Sequence, residues 1–428
     1  MKKRAMLIIF LPVFSSIQAS TVWVNVFIHG VISIKPHMTF GNFFNFLNDH
    51  VDGSAYADTV GIIREDDIFF RAQAIQKVGL HPVVFSYALP YHNNGARATA
   101  YGFHEIWKSI VHDQDDSTHQ RYFTFGWSAL LSHKARYKAA IALYRSLDRL
   151  IAELKKKYTT VKLRLIGYSH GGNVILNLAL VKRGEKERCP FSIDESYMIG
   201  MPIQRTTDYL VSDPLFKKVY NIYSGADHIQ RMDIFAPGQL LSRKRFIARG
   251  NFKLPKKLKQ IQIKVTRNIR ASREGGVDYD KDKNHGCFIY GKAPFLRDIS
   301  PGHLELWCFG WHQGCYRERS PLYPFPIVIF VPLISYVLER YDDEQGASPS
   351  TYIVDFRPEY ELVIVRNKGK REVVVYEQLL QHSMMRELRE AIMDQFAVVC
   401  TRHERTKSIR KADRQVRIQR KLCREACD

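Results

Sequence analysis

VKLRLIGYSHGGNVILNLALV, residues 161–181, is the stretch whose reading decides the fold. Val161 to Ile166 is a β-rich run and Gly172 to Val181 a helical one, apolar on most sides and therefore expected to be largely buried. Between them stands Ser169, with Gly167 and Gly171 two residues away on either side and a further glycine at 172. A serine on a sharp strand-to-helix turn takes a strained backbone, and only very small neighbours two residues away avoid a clash. The helix behind it points backbone N–H groups towards any negative charge that develops there. Gly-x-Ser-x-Gly alone is weak, since roughly one chain in seven of this length carries it by chance. The surrounding sequence has to decide.

Outward from this stretch, short β-rich runs alternate with helical ones, the pattern of a mostly parallel sheet with helices on both faces. Strands are expected at Val22 to Ile28, Val83 to Tyr87, Tyr122 to Trp127, Lys218 to Tyr223 and Lys259 to Val265, and a strand running into a loop at Tyr197 to Ile203. From Lys134 to Tyr158 an amphipathic helix is expected to bury Tyr137, Ala140, Ile141, Tyr144, Leu147, Ile151 and Leu154. Phe325 to Leu338 holds two prolines and is shorter than a membrane span, so it reads as a buried strand or helix. A linker at 344–350 separates a domain over 21–343 from a small α+β C-terminal appendage at 351–428. The appendage is expected to hold a hairpin turning at Lys368-Gly369-Lys370 and a helix over Gln378 to Val398.

The chain has 428 residues and a net charge of +21. Nearly all of that charge lies in three places. Residues 239–274 carry 12 Lys and Arg against one acid, residues 401–428 carry ten against four, and Lys2, Lys3 and Arg4 supply the rest. A basic start, an apolar run from Ala5 to Phe14 and small or polar residues up to Ser20 read as a secretory signal peptide over 1–20, with export to the periplasm or medium. An uncleaved membrane anchor is the alternative. The seven cysteines are an odd number, and their pairing is open.

Three separated pieces of the chain resemble the α/β-hydrolase superfamily, more closely its lipase-like and esterase-like members. VFIHG at 26–30 is similar to the strand and His-Gly turn beside the oxyanion hole, IGYSHGG at 166–172 to the nucleophile turn, and VYNIYSGADHIQ at 219–230 to the strand carrying the acid. The resemblance covers about residues 22–340, with a poorly matched portion at 35–120 and a basic insertion at 239–274. It does not reach the C-terminal residues. It implies a triad in the order nucleophile, acid, histidine: Ser169, Asp227 and a downstream histidine. Asp227 is preferred to Asp208, Asp213 and Asp233, and His303 to His285 and His312, while His228 is too close to the acid. The resemblance also implies oxyanion donors at the backbone N–H groups of Val31 and His170, with the His29 side chain bracing its loop.

The expected reaction is cleavage of a carboxylic ester through an acyl-enzyme, with an ester or lipid substrate and no metal or organic cofactor. Other acyl hydrolases, a thioesterase or peptidase, remain open. So does a non-catalytic protein of the same fold docking on an anionic membrane or envelope surface, through residues 239–274 or a basic stripe of Arg410, Arg414, Arg417, Lys421 and Arg424. Nucleic acid is disfavoured as a partner. Glu65-Asp66-Asp67 reads as a solvated helix start.

Overall fold

A computed structural model describes residues 20–32, 49–85, 94–110, 118–184, 191–231, 242–268, 296–298, 300–310, 322, 324–346, 351–369, 373–396 and 402–425. The leader at 1–19, His285, His312, Asp233 and all cysteines except Cys308 and Cys423 lie outside them.

The protein is α/β, built on one sheet of eleven strands. β1 (Thr21–Ile28) pairs parallel with β3 (Thr118–Gly126) on one side and with β4 (Thr160–Tyr168) on the other. From β4 the parallel order continues through β5 (Ile193–Ile199), β6 (Phe216–Ser224), β7 (Leu258–Asn268) and β9 (Thr351–Arg357). Beyond these, β2 (Gly79–Pro82) runs antiparallel to β3 at one edge, and β10 (Leu362–Asn367) and β11 (Val373–Tyr376) antiparallel at the other. The short β8 (Leu296–Asp298) pairs with β7.

Because β1 lies between β3 and β4, the chain runs to one side of β1 and then crosses back over it. Open α/β sheets bind ligands outside the carboxyl ends of their strands at such a reversal, and Ser169 follows β4 there.

Alternation along the strands feeds two cores. Val22, Val24, Val26, Leu163 and Leu165 face α4 (His133–Leu154) and α5 (His170–Gly184). Phe27, Ile166, Tyr168, Tyr197 and Ile199 share the other face with α3 (Asn94–Ile110), residues 327–330 and α6 (Val331–Gln345). Ser132 caps α4 by accepting from the Ala135 N–H at 3.1 Å. The buried stripe of α4 sits slightly off the expected one: Tyr137 is 39% exposed and Ile141 half-buried, while Ala139 and Leu143 are inside. α1 (Ala55–Ile63) and α2 (Asp67–Arg71) form a smaller cluster, with Asp66 capping α2 through the Ile68 N–H.

The expected domain division needs correction. Residues 351–376 are not a separate appendage: β9 pairs parallel with β7, and the expected hairpin, β10 and β11, extends the same sheet. α7 (His382–Phe396) joins the main core, and α8 (Arg402–Glu425) packs Ala412 against the cluster of α1 and α2, where Arg420 meets Asp58 at 2.7 Å. The strand expected at Lys259 to Val265, inside the basic insertion, is β7, an interior strand of the sheet. Several of the insertion's cations serve the fold. Lys257 donates to the carbonyls of Ser212 and Phe216, Lys264 pairs with Asp298 at 2.8 Å, and Lys259 pairs with Asp342. The strand expected at Val83 to Tyr87 lies earlier, as β2, and Tyr87 is outside the described residues. On α8, Arg410, Arg414, Arg417 and Lys421 are exposed on the face opposite Ala412 and Val416.

At the amino ends of the strands, buried Arg164 bonds Glu195 at 2.6 Å and Asn25 at 3.0 Å and lies over the Trp23 ring. Removing one partner of a buried pair leaves a bare charge inside, so Glu195→Ala is expected to cost about 3–5 kcal/mol in denaturant unfolding. Lys217→Ala, which breaks an exposed pair with Asp194, is expected to cost about 1 kcal/mol or less.

Candidate active site

The turn after β4 places Ser169 at φ +50°, in the left-handed region that L-residues other than glycine rarely occupy. What holds it there is close backbone packing. A Cβ at Gly167 would lie 2.7 Å from the Gly171 carbonyl carbon, and one at Gly171 would lie 2.5 Å from the Ile28 oxygen. From the β1 side Gly30 presses in, since a Cβ there would meet the Ser169 Cβ at 2.8 Å. The Ser169 N–H donates to the Ile199 oxygen at 2.8 Å, which fastens the turn to the end of β5.

The next residue, Gly200, has φ +60° and bonds the Ile222 carbonyl through its N–H at 2.9 Å. A Cβ there would stand 3.3 Å from both Asp227 Oδ2 and His303 Nδ1. Ser169, Gly200, Asp227 and His303 are thus gathered at the carboxyl ends of neighbouring strands.

Asp227 follows β6 and is fully buried. Its Oδ2 lies 2.8 Å from His303 Nδ1, and its Oδ1 accepts the Gln230 N–H at 3.3 Å. The Gln230 amide donates to the Met201 carbonyl at 3.0 Å, tying the acid loop to the β5 loop. Lys244, from the basic segment, donates to the carbonyls of Ser224 and Gly225 at 2.9 Å each and clamps the start of the same loop.

His303 is held on its other side by Tyr168. The phenol donates to the His303 carbonyl at 3.0 Å, and the ring lies 4.9 Å from the imidazole and stacks on Trp307 at 5.2 Å. Burial raises the Tyr168 pKa far above the ordinary tyrosine value, so the hydroxyl stays a donor.

Of the two residues expected to supply oxyanion donors, Val31 comes directly after Gly30, and His170 is the first residue of α5. The His170 side chain is buried, its Nδ1 3.1 Å from Nη1 of Arg136, which α4 supplies. His29 is a brace: Nδ1 lies 2.7 Å from the Gly30 oxygen, Nε2 accepts the Trp127 N–H at 3.2 Å, and the ring stacks on the indole. Burial, with Arg64 adding to it, lowers its pKa to about 3, so the ring is neutral.

The alternatives fall elsewhere. Asp208 is bonded by Arg249 at 2.8 Å, Asp213 by Arg183 at 3.0 Å, and His228 is exposed. Among the described residues, no three His, Cys, Asp or Glu side chains converge to hold a metal. Sequence reasoning missed Gly200, Gln230, Lys244 and Tyr168. Only Gly200 carried a signal, as a glycine within the strand and loop expected at Tyr197 to Ile203. Comparisons of the chain with protein-family models, curated proteins and solved structures find no match.

The backbone at Ser169 should make Ser169→Gly more stable than Ser169→Ala by about 1–2 kcal/mol in thermal unfolding, because glycine relieves the left-handed strain. His29 titrates in the unfolded chain at 6.5 and in the folded one at about 3, so the stability tied to its neutral ring is complete above pH 6.5 and lost as pH falls towards 3. Urea unfolding of the wild type is therefore expected to weaken more steeply over that window than unfolding of His29→Gln.

Proposed function

We propose that the protein is an α/β-hydrolase that cleaves a carboxylic ester, lipase-like or esterase-like, through Ser169, His303 and Asp227. It would be exported by its N-terminal segment, and among the described residues no helix is long and apolar enough to cross a membrane. The observation that carries the reading is the 2.8 Å contact of the buried Asp227 carboxylate with His303 Nδ1, beside a serine held in a left-handed turn.

An aspartate on Nδ1 fixes the tautomer and leaves Nε2 as the basic nitrogen. Nε2 takes the Ser169 proton as Oγ attacks the ester carbonyl, and the charged ring that results is balanced by Asp227. Collapse of the tetrahedral intermediate returns the proton to the leaving alcohol. Water, activated by the same nitrogen, then releases the acid from Ser169. Backbone N–H groups of Val31 and His170 would hold the oxyanion, each worth about 3 kcal/mol of barrier. His170 opens α5, so the positive end of the helix dipole adds to its donor.

A fluorophosphonate probe is expected to label the wild type at Ser169 and to leave Ser169→Ala unlabelled. Absence of labelling in the wild type, or equal labelling of both, overturns the reading. Asp227→Asn should keep the fold and lower kcat on a p-nitrophenyl ester by about 10⁴, because the histidine loses its orienting acceptor.

A further inference from the structure

A cleft of about 570 Å³ opens at the carboxyl ends of β7 and β9, within the size range of small-molecule sites. Its floor is apolar: Leu322, Phe325 and Leu380 are each 5% exposed or less. One wall is α7, which turns His382, Met385, Arg386 and Arg389 to the cleft, a spacing that keeps all four on one helix face. In the opposite wall Arg267 is already bonded to Glu359, and His382 lies 2.9 Å from Glu361. Arg386 is exposed and Arg389 half-buried, and neither is paired with a carboxylate among the described residues.

We infer that this cleft binds a single-chain aliphatic carboxylate, its chain on the Leu322–Phe325–Leu380 floor and its head group between Arg386 and Arg389. Two guanidinium forks one turn apart match a planar carboxylate, which accepts charge-assisted bonds from both. One planar carboxylate takes up the donors of both guanidinium forks, so the head group needs a single negative charge. A neutral chain would fill the floor and leave the cations unanswered. Binding there needs no reaction at Ser169.

Isothermal titration of the full chain with decanoate, kept below micelle formation, and with 1-decanol tests this. The wild type and Ser169→Ala are expected to bind decanoate alike at one saturable site. Arg386→Gln/Arg389→Gln, which alters surface residues, should weaken decanoate roughly tenfold or more while changing decanol less than about twofold. Met385→Trp, which narrows the cleft, should weaken both ligands. The inference falls if the wild type shows no saturable binding, if the double variant binds decanoate as the wild type does, or if Met385→Trp leaves both affinities unchanged. Because Ser169→Ala cannot label yet should still bind decanoate, the two proposals fail separately.

Discussion

An L-residue at φ +50° costs about 1–2 kcal/mol relative to the right-handed region, and a turn of that kind persists only where its surroundings over-determine it. At Ser169 they do so from three directions. β1 presses Gly30 against the serine Cβ, the first turn of α5 leaves no room at Gly167, and β5 takes the serine N–H on the Ile199 carbonyl. The first is backbone against Cβ and the other two are between backbones, and the contacts from β1 and β5 need the parallel pairing of β1, β4 and β5 in register. The sheet therefore does more than carry the serine, since its register is what makes the strained turn the lowest-energy path from β4 into α5.

The same packing fixes the partners. Gly200 ends β5 in a left-handed turn of its own, and the space its missing side chain leaves is where Asp227 and His303 meet. A larger residue at 200 would stand against both Oδ2 and Nδ1, so the carboxylate and imidazole depend on a glycine two strands from β1. Around them the polar groups are closed off in turn: Gln230 answers Oδ1, Lys244 holds the loop carbonyls, and Tyr168 holds the histidine backbone. A buried carboxylate without such partners would be costly.

Local pattern in the sequence carries the strands from β3 to β7, the helix α4 and the serine turn, because alternation and helical period are written within a dozen residues. It does not carry which edge a strand joins. TYIVDFR at 351–357 follows a polar linker and reads as the start of something separate, yet it completes the sheet beside β7. That pairing links residues some 90 positions apart, and nothing in either segment names the other. The same blindness misplaces the basic charge. Twelve cations in 36 residues suggest a docking surface for an anionic partner, but Lys244, Lys257, Lys259 and Lys264 reach carbonyls and carboxylates supplied by distant elements.

The two ends of the sheet dispose of buried charge differently, and the difference bears on where a ligand can bind. At the amino ends Arg164 is answered by Glu195 and Asn25, and Glu195 in turn accepts from Tyr197. That set is closed, and a ligand entering there would have to break bonds worth as much as those it made. At the carboxyl ends polar groups keep unused capacity: His303 spends one nitrogen on Asp227, and Arg386 and Arg389 stand over an apolar floor, neither paired with a carboxylate among the described residues. Groups held in place by the fold but not satisfied by it are the ones a ligand can satisfy at little cost in reorganisation.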